Sequence, residues 1–181
     1  MSRLNVREFE ASPDASKPLL TAVGQQLGVI PNLFRLIGNS PDTLAGYLGL
    51  SGALANTLDA ATRERIALAV AQVNGCDYCL SAHSYLALNV AKLDAEEVNR
   101  NRRGGSKDAR ANAAVRFAAK VTETRGHIGD ADLSEVRLAG FSDSEIVEIV
   151  AIVAQNCFTN FLNEVAKTDI DFPGVRAADV A

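Results

Sequence analysis

Along most of the chain apolar residues return at spacings of three and four among Ala, Leu and Glu, with no long alternating β-branched run. That periodicity predicts an all-α protein. A first helix is expected from near Ser16 to Gly28, then extended Val29-Ile30-Pro31 and a short helix from Asn32 to Ile37. Ser40-Pro41 pairs a cap with a proline at the first helical position, and Leu44, Tyr47, Leu48, Leu50 and Leu54 form the following apolar stripe. Asp59 to Val73 reads as a helix closed by Asn74-Gly75, and another runs from near Cys76 to about Ala91. Leu93 to Glu97 starts the next, and Gly104-Gly105-Ser106 separates it from a helix over Lys107 to Thr124. Asp132 to Ala139 is a short helix stopped by Gly140. Ser142-Asp143-Ser144-Glu145 resembles a capping box, and a long helix follows from Glu145 to about Lys167.

One internal echo accompanies this pattern. Shifting Glu64–His83 by 81 positions lands on Glu145–Glu164, with two identities, Glu64/Glu145 and Cys76/Cys157. An internally duplicated helical unit is the expectation it raises. The copy lacks the second cysteine and the histidine, which fall on Asn160 and Glu164.

Length adds that 181 residues suit a single domain with a real core. Within it, N-terminal helices (1–57) precede a cysteine-bearing region (58–91) and C-terminal helices (92–181). The net charge of −4 and the lack of a basic stripe argue against nucleic acid. Arg100, Arg102 and Arg103 cluster beside Gly104-Gly105 and read as a solvated helix end. The N-terminus has no apolar signal core, and the richest apolar run, Ile146 to Cys157, is interrupted by Glu148 and too short to cross a bilayer. Three cysteines are too few for a disulfide-stapled secreted scaffold. A soluble, cytoplasmic protein without a membrane partner is expected, and there a paired-cysteine motif points to catalysis or metal.

The chemistry concentrates in Cys76-Asp77-Tyr78-Cys79 and His83. Thiols three apart on a helix share a face, and a histidine four residues on joins them. A peroxide reductase needs a thiolate, a group to move protons, and a second thiol to capture the sulfenic acid. Cys76 lies at the positive start of its helix, which favours it as the attacking sulfur, whereas proximity to His83 favours Cys79. Glu64, on the preceding helix, is placed to orient His83 if the turn at Asn74-Gly75 folds the two helices together.

The run Glu64 … Cys76-Asp77-Tyr78-Cys79 … His83 resembles the signature of the alkylhydroperoxidase AhpD / carboxymuconolactone decarboxylase superfamily. The likeness extends to Gly28-Val29-Ile30-Pro31-Asn32-Leu33-Phe34, Asn39-Ser40-Pro41, Ala139-Gly140-Phe141-Ser142-Asp143 and Asp169-Ile170-Asp171-Phe172-Pro173, segments similar to the branch called peroxidase-related proteins. The resemblance implies an AhpD-like helical fold and a homo-oligomer, a trimer or hexamer. It implies a peroxidatic Cys79, a resolving Cys76 and a Glu64/His83 proton relay. It implies no cofactor, a small hydroperoxide as substrate and an unknown thiol or dithiol as reductant. AhpD carries a histidine immediately before the second cysteine, where this chain has Tyr78, so that part of the relay departs from the pattern. Decarboxylases of the superfamily generally lack the cysteine pair.

Other readings attach to the same residues. Cys76, Cys79 and His83 with Glu64 form a possible zinc set or redox sensor, and a superfamily enzyme with another substrate, decarboxylase-like, would use Glu64 and His83 alone. Cys157, among Val153, Phe158 and Phe161, is expected in the core. His127 is expected at the surface of a turn, and Glu145 as a helix cap. Asn160, Asn163 and Glu164 are polar residues on an apolar helix that line either a pocket or an oligomer contact. Leu33, Phe34, Tyr47 and Leu48 are core residues or the wall of an apolar pocket.

Overall fold

A computed structural model describes residues 2–179. Among them nine α-helices and no strands form the chain: α1 (Lys17–Leu27), α2 (Asn32–Ile37), α3 (Pro41–Leu54), α4 (Ala60–Asn74), α5 (Asp77–Asn89), α6 (Ala95–Arg102), α7 (Ala109–Thr124), α8 (Asp130–Leu138) and α9 (Asp143–Ala166). Each expected helix is present, with ends within about two or three residues of the expected ones. Local chemistry explains several starts. The side chains of Ser40, Asp59, Asp94, Asp108 and Ser142 accept backbone N–H groups of their own first turns. Ser142 and Glu145 form the capping box, and Glu145 also meets Arg110.

The helix at the centre is α4. Ile66 to Ala71 are all buried, so its middle is covered on every side, by α5, α6, α7 and α9. Ala67, Ala69 and Ala71 let neighbours approach closely, with Ala114 and Ala118 of α7 equally small and buried. The main core gathers Ile66, Val70, Phe117, Ile149 and Val153.

Two polar networks hold the ends of this helix. Glu97, 3% exposed, accepts from Arg65 Nε at 2.8 Å, from Asn101, from Ser106 Oγ and from the Lys107 amide at 2.8 Å. Burial alone would raise its pKa, but these donors outweigh it and hold the carboxyl down to about 2. The network therefore clamps α4 beside Glu64. At the other end Arg102 is buried rather than solvated, correcting the expectation for that residue, while Arg100 and Arg103 are exposed as expected. Its Nε donates to Gln72 Oε1 at 3.0 Å and its Nη2 to the Arg176 carbonyl at 2.7 Å. Sequence clustering marked Arg102 as surface with its neighbours because nothing local announces a distant carbonyl. The same C-terminal segment straps α5, with the Ala177 amide on Asp77 Oδ1 and the Val175 amide on Ser81 Oγ.

Three further expectations change. Leu50 is 43% exposed and leaves the α3 stripe. Phe158 and Phe161 are exposed, because α9 turns its other face inward; Cys157 is half-buried against the core. The long helix spans 24 residues and is, by length and composition, long and apolar enough to cross a membrane, unlike the shorter run expected. Here its buried face (Ile149, Ile152, Asn156, Asn160) packs within the protein. The echo between the two segments does not reach the structure. Gly75 breaks one copy into two helices, whereas its counterpart Asn156 sits inside unbroken α9.

Replacing Glu97 with Gln is expected to destabilise the protein by about 2–4 kcal/mol at neutral pH, since a partly buried Arg65 loses its anion. A carboxylate depressed from 4.5 to about 2 stabilises fully above pH 4.5 and loses that contribution as pH falls toward 2. Denaturant unfolding of the two proteins should therefore show the gap closing over that window.

Candidate active site

The site is built around one residue with two backbone duties. Gly75 adopts φ +68°, a left-handed conformation that costs a residue with a Cβ more than it costs glycine. It ends α4, and the next amide, Cys76 N–H, bonds back to the Ala71 carbonyl at 3.0 Å. The Cys76 sulfur then caps α5 by accepting the Cys79 N–H at 3.4 Å. The two thiols are thereby fixed in the first turn of a new helix, both free and both buried.

The turn folds α5 against α4, which brings His83 to Glu64: Nδ1 and Oε2 stand 2.9 Å apart, each side chain about one-fifth exposed. Burial lowers the His83 pKa, yet the Glu64 charge and hydrogen bond, with smaller contributions from Cys79 and Asn156, leave it raised. All four sequence-predicted residues, Glu64, Cys76, Cys79 and His83, thus converge.

The two sulfurs differ sharply. A hydrogen bond with Cys79, followed by burial, pushes the Cys76 thiol far up, so Cys76 keeps its proton. The same hydrogen bond from Cys76 pulls Cys79 down to about 6 against the opposing effect of burial. His83 adds its charge, and Asn163 and Asn160 add their amides. Asn163 Nδ2 donates to the Cys79 sulfur at 3.3 Å. Cys79 is therefore the sulfur that ionises more readily.

Asn163 lines a pocket, among the alternatives the sequence left open, whereas Asn160 does not line it. Both are essentially buried, and Asn74 Nδ2 holds Asn160 Oδ1 at 2.9 Å. Asn156 and Gln155 were not singled out from the sequence; their signal was a polar row at helical spacing on α9. Tyr47 reaches the site from α3. Burial, then the charges of Cys79 and Glu64, raise its hydroxyl to about 12 against a hydrogen bond with Gln155. Phe34 and Phe158 flank its ring, each 6.0 Å between centroids, so one wall is aromatic.

Tyr78, which stands where AhpD has a histidine, faces elsewhere. Its hydroxyl accepts the Leu33 amide at 3.1 Å, and its ring meets Phe172 edge-on. It ties α5 to α2. Glu164 lies at the surface, paired with Lys167, and His127 is exposed on its turn. Among the described residues no three His, Cys, Asp or Glu side chains are arranged to hold a metal ion.

The carboxymuconolactone decarboxylase family matches residues 41–124, the stretch from α3 to the end of α7 that carries Glu64, both thiols and His83. A peroxidase-related protein of Ralstonia eutropha JMP134, described as an alkylhydroperoxidase AhpD core, superimposes with a TM-score of 0.82 at 25% identity, covering 94% of this chain and 92% of that one. A peroxidase-related protein of Silicibacter sp. TM1040 gives 0.80 at 24%, covering 93% and 91%. The debrominase Bmp8 gives 0.76 at 23%, covering 94% and 91%, a likeness of fold alone. An uncharacterized Haemophilus influenzae protein is 52% identical over 46 residues, 24% of this chain and 41% of that protein. The fold is that of AhpD-like helical proteins. Residues 41–124 are thus similar to the carboxymuconolactone decarboxylase family, and the whole fold is similar to that of the peroxidase-related AhpD-like proteins.

Thiolate absorbance at 240 nm should rise by about one thiolate with a midpoint near pH 6. Exchanging Asn163 for Leu or His83 for Asn removes a donor or a charge from that sulfur, so the midpoint should move upward in both. An unmoved midpoint would mean that neither group acts on Cys79.

Proposed function

We propose that this protein is a thiol-dependent peroxidase, reducing hydrogen peroxide or organic hydroperoxides through a Cys76–Cys79 redox pair. The observation that carries the reading is the geometry of two free thiols in the first turn of α5, with the Asn163 amide on the Cys79 sulfur, beside an imidazole paired with a carboxylate.

Cys79 thiolate attacks a peroxide oxygen and the O–O bond breaks. The departing alkoxide or hydroxide takes a proton from the charged His83, which Glu64 holds in place, leaving an alcohol or water and Cys79 sulfenic acid. Cys76 then attacks the Cys79 sulfur. Its proton, already directed at that sulfur, goes to the leaving hydroxide as water, and the disulfide forms. A dithiol reductant returns both thiols to the starting state. The aromatic wall of Phe34, Tyr47 and Phe158 suits an apolar hydroperoxide tail. The reducing cytoplasm suits a cycle that begins with both thiols free.

The homo-oligomer belongs to the same reading. Val147, Val150, Phe158, Phe161 and Val165 leave an apolar stripe along the outside of α9, which a second copy would cover. Phe161→Glu should then reduce the mass seen by sedimentation, and an unchanged mass would remove α9 from the interface.

For the chemistry, Cys79→Ser should abolish turnover. Cys76→Ser should allow one oxidation and accumulate sulfenic acid, detectable by dimedone trapping and mass spectrometry. With one equivalent of cumene hydroperoxide the native protein should lose two of its three thiols, with Cys76 and Cys79 joined. Three thiols still free would overturn the peroxidase reading.

A further inference from the structure

Beyond closing α4 together with Gly75, Asn74 has no part in the peroxidase cycle. It is the last residue of α4, half-buried, and its side chain reaches across to α9. There Nδ2 lies between two acceptors, Asn160 Oδ1 at 2.9 Å and the Cys157 sulfur at 3.5 Å. The first is the stronger, because a thiol sulfur accepts weakly. Asn160 is fully buried, and among the described residues no other side-chain hydrogen bond holds it.

A single bond therefore sets which way the Asn160 amide points. With Oδ1 turned to Asn74, Nδ2 is left without a hydrogen-bond partner and closed off from solvent. An idle buried donor is costly, and no dissolved ligand reaches this one, so the acceptor it serves has to belong to the protein. Asn163, one turn further along α9, already gives its Nδ2 to the Cys79 sulfur at 3.3 Å, and Asn160 shares that buried face. The anion that forms beside Asn160 is the Cys79 thiolate, which its amide favours. Turned over, the same amide would present a carbonyl oxygen to that charge and oppose it.

We infer that Asn74 is a positioning residue: its bond to Asn160 Oδ1 keeps the N–H side of that amide toward Cys79, so that α9 offers the sulfur two donors. The inference rests on the reading of Cys79 as the attacking sulfur and extends the site to the end of α4. The titratable groups around this sulfur are Cys76, Tyr78 and His83 on α5, Glu64 on α4, Tyr47 on α3 and Glu164 on α9. None of them is altered by a change at Asn74.

Cysteine isotopically labelled at Cβ reports each thiol separately by NMR, the Cys79 signal being the one lost in Cys79→Ser. Asn74→Ala should raise the Cys79 titration midpoint by about 0.5–1 pH unit, as expected when a charged acceptor loses one donor. Alanine suits the end of a helix, so the fold should survive the change. Asn160→Ala should raise the midpoint at least as far, and Asn160→Leu, closer in volume, repeats the test without leaving a cavity. The two alanine changes together should give no more than Asn160→Ala alone, because Asn74 acts through Asn160. Cys157→Ala, which removes only the weaker acceptor, should leave the midpoint native. A native midpoint in Asn74→Ala would overturn the inference. So would additive shifts in the double variant, or an equal rise in Cys157→Ala, which would make Asn74 a general tie between α4 and α9. If Cys79 of the native protein titrates as an ordinary thiol, the attacking-sulfur reading fails and the positioning role with it. If the midpoints move as expected while cumene hydroperoxide oxidises nothing, Asn74 keeps its role and only the choice of oxidant is wrong.

Discussion

The left-handed turn at Gly75 is the constraint on which the site depends. It ends one buried helix and begins another within two residues, so Cys76 must close the first with its amide and cap the second with its sulfur. A thiol is a weak acceptor for a helix cap, where Ser, Thr, Asp or Asn would normally serve. Its presence there trades cap strength for a sulfur held against the first turn of α5. The same turn sets the angle between α4 and α5, and thus whether Glu64 and His83 meet.

Burial and polarity oppose each other throughout this region. Desolvation alone would keep both thiols protonated and His83 neutral, producing an inert pocket. The protein counters with donors and charges, one carboxylate on the imidazole and a side-chain amide on the Cys79 sulfur, where Cys76 has a backbone N–H. Two neighbouring cysteines in almost the same degree of burial are thereby shifted in opposite directions. Asymmetry of hydrogen bonding decides this, since exposure hardly differs.

The remoter networks serve the same end. Glu97 fixes the start of α4 through Arg65, next to Glu64, and Arg102 fixes its end through Gln72 and the C-terminal segment. That segment also grips Asp77 and Ser81 on α5. A site whose function depends on hydrogen bonds near 3 Å needs such support, because small displacements would separate His83 from Glu64.

The helices, their caps and the set Glu64, Cys76, Cys79 and His83 were legible in the sequence, because they follow from local rules. Apolar periodicity marks helices, Gly ends them, Ser and Asp start them, and residues three or four apart share a face. The family likeness extended that reading to Glu64, twelve residues upstream and on another helix. Which face of α9 would be buried was not legible, since Phe158 and Phe161 look like core while Asn156, Asn160 and Asn163 look like surface. Nor were the burial of Arg102 and Glu97 or the turn of the buried Tyr78 toward Leu33 and Phe172, which depend on partners far along the chain. Sequence alone determined which groups are near one another along the helices. Only the packing of α9 onto α4 and α5 decided that the Asn163 amide meets the Cys79 sulfur, because that donor comes from the far end of the chain.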